Sequence, residues 1–93
     1  MERAYERLLR YVQVHTTSDE NSGTVPSTQR QFDLARLLVR EMTDLGIRDA
    51  HVDEKCYVYG WIPASPGCEN VPAIGLIAHL DTAPDFCGEG VKP

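Results

Sequence analysis

Ala73-Ile-Gly-Leu-Ile-Ala-His79-Leu-Asp81-Thr-Ala-Pro84-Asp85 is the stretch on which the reading of the fold turns. Its first six residues suit the interior of a sheet, and Gly75 lets a neighbour pack close. An uninterrupted apolar strand implies cover on both faces, as at the centre of an α/β sheet. The run then ends in His-x-Asp and a turn stiffened by Pro84. Residues two apart in a strand share a side. His79 and Asp81 are therefore predicted to face one cleft, with Leu80 directed into the core. Open α/β sheets gather ligands at the carboxyl ends of their strands, and this pair sits at such an end.

Working back from that strand, residues 50–53 and 57–62 read as short strands of an antiparallel hairpin. Asp53-Glu54-Lys55-Cys56 forms the turn, without the usual glycine. Tyr57, Tyr59 and Trp61 alternate along the second strand and read as sheet packing. Residues 63–72 are a connecting loop. Further upstream, Tyr5, Leu8, Leu9 and Val12 recur at helical spacing and predict a helix from Glu2 to about Val14. A polar loop, residues 15–25, follows. A second helix is predicted to start near Ser27 or Thr28, where Thr28 and Gln31 have capping-box spacing. Phe32, Ala35, Leu38, Val39, Met42 and Leu45 trace its main apolar face, with Leu34 and Leu37 as a second edge. Gly46 suits a left-handed stop, and Ile47 can pack back on Met42 in a Schellman end.

Two helices and a hairpin do not readily cover the third strand, and a central strand needs partners on both edges. Residues 1–93 are therefore expected to be part of one larger domain, incomplete by itself. A second copy pairing along the open sheet edge is the alternative cover, giving a homo-oligomer.

Composition narrows the function classes. Nine basic against fourteen acidic side chains give a net charge of -5. That balance argues against nucleic-acid binding, which needs a basic patch. No apolar run approaches the ~20 residues needed to span a bilayer, and the charged opening lacks a signal core. No membrane partner and a cytoplasmic location are the expectations. Cys56, Cys68 and Cys87 never form a C-x-x-C pair and read as free thiols. His15 reads as a solvated loop histidine, and His51 with Asp53 as an exposed edge pair. No serine or cysteine has a base and orienter at a persuasive spacing.

His-x-Asp alone leaves two readings open, a metal site or a satisfied polar pair at a strand end. A neutral imidazole nitrogen can bind zinc, and a carboxylate on the other nitrogen fixes the tautomer and raises basicity. Three blocks bear on the choice: Tyr11-Val-Gln-Val-His-Thr-Thr-Ser18 with Val25-Pro-Ser-Thr28, Ile62-Pro-Ala64 with Val71-Pro-Ala-Ile-Gly75, and Ile77-Ala-His-Leu-Asp-Thr-Ala-Pro-Asp85. In these blocks the chain resembles the N-terminal part of the M20 family of zinc metallopeptidases, in its tripeptidase-like branch. The resemblance implies a partial three-layer zinc-peptidase catalytic domain of α/β class, here two helices, a hairpin and a buried strand. It implies His79 as a zinc ligand and Asp81 as the clamping aspartate, counted as catalytic. It also implies two zinc ions as cofactor in the complete enzyme and a small peptide as substrate. The family's bridging aspartate, glutamate base, remaining carboxylates and second histidine have no counterpart among these residues, so the chain alone is expected to be inactive. Cys56 departs from the family pattern, which tends to have glycine at this turn. The alternatives are another M20 amidohydrolase, acting on dipeptides or N-acyl amino acids, and a non-catalytic module that assembles through its sheet edge.

Overall fold

A computed structural model describes residues 2–93. The order of elements is α1 (Ala4–Tyr11), α2 (Gln31–Asp44), β1 (Arg48–Val52) and β2 (Val58–Trp61). The two strands pair antiparallel in a two-stranded sheet, and α2 packs on it. Among the described residues no helix is long and apolar enough to cross a membrane.

The end of α2 follows from its sequence. Gly46 takes φ +83, a conformation that costs glycine least. Ile47 N–H donates to the Met42 carbonyl and Gly46 N–H to the Thr43 carbonyl, each at 3.0 Å. These are the two bonds of a Schellman end. They turn the chain straight into β1, so hairpin and helix meet face to face. Gly60 lies where they touch. A β-carbon there would stand 2.7 Å from Ile47 Cγ2 and would collide with Met42 Cε. The close approach needs glycine at this point of β2.

At its start α2 is shorter than predicted. Thr28–Arg30 form a turn, and the regular helix begins at Gln31. The Gln31 side-chain amide donates to Thr28 Oγ1 at 2.9 Å and Ser27 Oγ at 3.1 Å. Thr28 and Gln31 thus do interact, as a lead-in turn. Leu34 and Ala35 are the buried apolar side chains of α2. The edge assigned to Leu34 therefore lies deeper than most of the main face.

The hairpin turn solves its lack of glycine with a carboxylate. Asp53 Oδ1 accepts the N–H groups of Lys55 (3.0 Å) and Tyr57 (2.9 Å). The backbone closes by Asp53 N–H to the Tyr57 carbonyl (2.9 Å) and Cys56 N–H to the Asp53 carbonyl (3.1 Å). Cys56 occupies the left-handed region at φ +66, where glycine is the cheaper residue. It compensates by burial, being 5% exposed. Burial pushes the Cys56 thiol up, with the nearby Asp53 charge adding and Arg36 opposing. Thiolate is the reactive form. Cys68 and Cys87, both exposed, are therefore expected to alkylate at least about tenfold faster than Cys56 near neutral pH. Mass spectrometry after brief iodoacetamide treatment checks this; equal labelling of all three cysteines would contradict it.

A register shift between Arg48 and His51, with Asp49 at φ +54, explains why β1 begins earlier than the predicted residue 50. Aspartate tolerates that conformation better than most residues. Asp53 is engaged in the turn, so it does not pair with His51. His51 instead stacks on Tyr59, with ring centroids 5.2 Å apart. Tyr57, Tyr59 and Trp61 are about half exposed.

Three expectations are corrected. The predicted third strand is absent: residues 72–81 have no regular structure, and Ile74, Leu76 and Ile77 are 87–100% exposed. The segment has apolar character suited to a sheet centre but no strand beside it, and unpaired backbone turns to water. The buried-strand part of the expected architecture is therefore not formed among the described residues; two helices and a hairpin are. The helix predicted over residues 2–14 is shorter, because residues 12–14 tighten into a turn. Its stripe of Tyr5, Leu8 and Leu9 is also exposed. Polar side chains dock α1 instead. Glu41, only 14% exposed, takes ion pairs from Arg7 (3.7 Å) and Arg10 and a hydrogen bond from the Tyr11 hydroxyl. Glu2 adds pairs to the same two arginines.

Candidate functional site

His79 and Asp81 converge although no strand holds them. His79 Nδ1 lies 2.8 Å from the Asp81 carbonyl oxygen and 3.3 Å from Asp81 Oδ1. Both oxygens only accept, so Nδ1 carries the hydrogen and donates to them. In the neutral ring that leaves the lone pair on Nε2. The His79 side chain is 85% exposed and that of Asp81 40%, so Nε2 is open to a ligand. An imidazole backed by a carboxylate at one nitrogen and open at the other is the arrangement of a metal-ligating histidine.

The chain is anchored directly after this pair. Thr82 bridges Thr17 in parallel fashion. Thr82 N–H donates to the Thr16 carbonyl at 3.2 Å, and Ser18 N–H to the Thr82 carbonyl at 2.9 Å. Sequence reasoning missed this link. Thr16–Ser18 read only as part of the polar loop. The signal was the Thr-Thr run itself, which suits extended pairing better than a flexible loop.

Two clefts flank the pair. One, of about 660 Å³, is lined by Pro26, Gln31, Tyr57, Tyr59, His79 and Asp81, among others. The other, of about 470 Å³, has Leu8, Tyr11, Leu34, Leu80, Asp81 and Thr82 in its wall. Leu80 is half-buried between them, which is less burial than its predicted place in a core. His15, expected in solvent, has its Nε2 buried without a hydrogen-bond partner among the described residues.

Among the described residues no three His, Cys, Asp or Glu side chains cluster closely enough to hold an ion. A structural zinc normally takes four ligands. His79 fits as one ligand, with Asp81 behind it, in a site that other groups would have to complete.

No protein-family model matches the chain. Its sequence relatives, however, are peptidases by name. It is 50% identical over 93 residues to peptidase T of Caldanaerobacter subterraneus subsp. tengcongensis, covering 100% of this chain and 22% of that protein. It is 52% identical over 92 residues to peptidase T of Desulfitobacterium hafniense strain Y51, covering 99% and 22%. For peptidase T of Geobacillus thermodenitrificans the match is 53% over 88 residues, covering 95% and 21%. Along its whole length, then, this chain is a relative of peptidase T. It spans about a fifth of the length of the curated relatives it matches.

Proposed function

We propose that this chain is the N-terminal part of the catalytic domain of a zinc-dependent aminopeptidase of the M20 family, acting on tripeptides. The observation that carries the reading is the His79–Asp81 pair, with Nδ1 held by Asp81 and Nε2 open. The similarity to peptidase T supports the peptidase class. The Thr-x-Pro-Asp ending after His-x-Asp, residues 82–85, favours the tripeptidase branch over dipeptidases and deacylases.

In this reading His79 Nε2 is a zinc ligand. Asp81 keeps the ring in the tautomer that exposes the lone pair and, by its charge, makes the imidazole a stronger donor. Neither group needs to touch substrate for that. Zinc bound there would supply an acidified water and polarise the scissile carbonyl. The cleft beside His79, about 660 Å³, falls within the ~300–1,000 Å³ usual for small-molecule sites. Its wall offers aromatic surface from Tyr57 and Tyr59 and an amide from Gln31. The remaining metal ligands and the general base are assigned to residues outside this chain. The chain alone is expected to bind zinc weakly and to hydrolyse nothing.

The test is an assay of the protein that carries this chain, before and after chelation and zinc return. Tripeptides, dipeptides and N-acyl amino acids are compared as substrates. The expected result is hydrolysis of tripeptides from the N-terminus, lost on chelation and restored by zinc. Preference for dipeptides or acyl amino acids would move the reading to another M20 activity. Hydrolysis indifferent to chelation, or none at all, would overturn it.

A further inference from the structure

The chain around His79 is held from one side only. Upstream, Ile74, Leu76 and Ile77 are 87–100% exposed. Downstream, everything converges on Thr17, which is 7% exposed. Its Oγ1 accepts the Gly88 N–H at 2.9 Å and the Thr82 hydroxyl at 3.4 Å. Its carbonyl accepts Thr28 Oγ1 at 3.0 Å and Arg30 Nε at 2.9 Å, which ties it to the start of α2. Its neighbours Thr16 and Ser18 pin the Thr82 backbone from both sides, and Ser18 Oγ adds a third bond to the Thr82 carbonyl at 3.0 Å.

We infer that Thr17 is a positioning residue: its hydroxyl clasps the loop from Thr82 to Gly88 onto the α1–α2 connection and so holds His79 against Asp81. The contact at stake is short and local. Nδ1 meets the backbone carbonyl of Asp81, and that carbonyl belongs to the peptide unit that leads into Thr82. If Thr82 shifts, the acceptor shifts with it, and the tautomer of His79 is no longer imposed. Thr17 touches neither His79 nor any substrate in this scheme; it acts through the loop. Only the consequence for zinc depends on the function proposed above. The clasp itself and its effect on the ring do not.

The inference is tested in the protein that carries this chain with Thr17→Val, which keeps the branched shape and the backbone bonds but removes the acceptor. Thr17→Ser, which restores the hydroxyl, is the rescue. Ring-nitrogen chemical shifts of His79, read by NMR at a pH where the imidazole is neutral, report the tautomer. Zinc titration by calorimetry reports the ligand. In the parent and in Thr17→Ser, the Nδ1–H tautomer is expected to dominate. In Thr17→Val the two tautomers are expected to mix, and zinc affinity to fall by about tenfold, the lower end of what an outer-shell partner contributes.

Amide signals of β1 and β2 show whether the variant is folded. Should Thr17→Val lose them, Gly88→Ala carries the test. Its added carbon would stand 2.9 Å from Thr17 Oγ1 and 3.2 Å from Thr82 Oγ1, prising open the same clasp from the other side. A folded variant with parent-like His79 shifts overturns the positioning role, as does Thr17→Ser behaving like Thr17→Val. If tautomers mix in Thr17→Val while the parent ignores zinc, positioning stands and the metal-ligand reading falls.

Discussion

Under the function proposed above, replacing His79 by alanine in the protein that carries this chain is expected to remove tripeptide hydrolysis and to leave it with substoichiometric zinc. Asp81→Ala is expected to be milder, lowering both turnover and zinc affinity by about tenfold within the ~10–100-fold range for outer-shell partners. The order follows from the geometry. His79→Ala deletes the imidazole that this pair offers as a ligand. Asp81→Ala deletes a carboxylate oxygen 3.3 Å from Nδ1 but spares the backbone carbonyl at 2.8 Å. The carbonyl can still hold the tautomer, so what is lost is mainly the charge that makes Nε2 a better donor. Metal analysis of the purified variants, with steady-state rates, checks the ranking. An unaltered rate and zinc content in Asp81→Ala would remove Asp81 from the mechanism.

Glu41→Ala is expected to melt α1 while leaving the hairpin in place. An eight-residue helix is too short to persist in water by itself, since isolated helices below ~12–15 residues are marginal. Its apolar stripe is exposed, so little hydrophobic burial fastens it. What fastens it is one carboxylate, 14% exposed, that receives Arg7 and Arg10 and the Tyr11 hydroxyl. A hydrogen bond to a charged partner contributes about 1.5–3 kcal/mol, so the Tyr11 contact alone sets about a tenfold or greater change in local opening. Amide exchange of residues 7–12 is expected to accelerate by at least that factor, with exchange in β1 and β2 unchanged. Uniform acceleration across the chain would mean that α1 is integral to the fold instead. Acid should act in the same direction. Its hydrogen bond with Arg10 holds the Glu2 carboxyl below its ordinary range, burial opposing. A depressed carboxylate stabilises the fold above its unfolded pKa and ceases to do so as pH falls through the folded value. The contribution of Glu2 to α1 is therefore present at neutral pH and weakens on acidification below the usual carboxylate range.

Local chemistry was legible in the residues, and long-range pairing was not. Gly46 with Ile47 announced the end of α2 because both bonds of that motif lie within six residues. The hairpin was legible from alternation and a turn, though the bulge at Asp49 moved its first strand. Cys56 in a glycine position was legible as a departure; the way Asp53 accommodates it was not, since the two carboxylate bonds appear only once the turn has closed. The segment from Ala73 to Ala78 shows the limit most clearly. Its apolar run states what environment the residues suit, and says nothing of whether this stretch of chain provides it. The His79–Asp81 contact was legible because it spans two residues. The Thr17–Thr82 bridge, separated by 65 positions, had only the Thr16–Thr17 run as a local sign and nothing to name its partner.

The bare stretch from Ala73 to Ala78 has a bearing on how the chain can be handled. Six residues with no charge and no proline, rich in branched aliphatics and lying open to water, have the makings of a steric zipper. Identical segments from neighbouring molecules can satisfy one another's amides. Such stacking would depend on protein concentration, because it needs the same segment from several molecules at once.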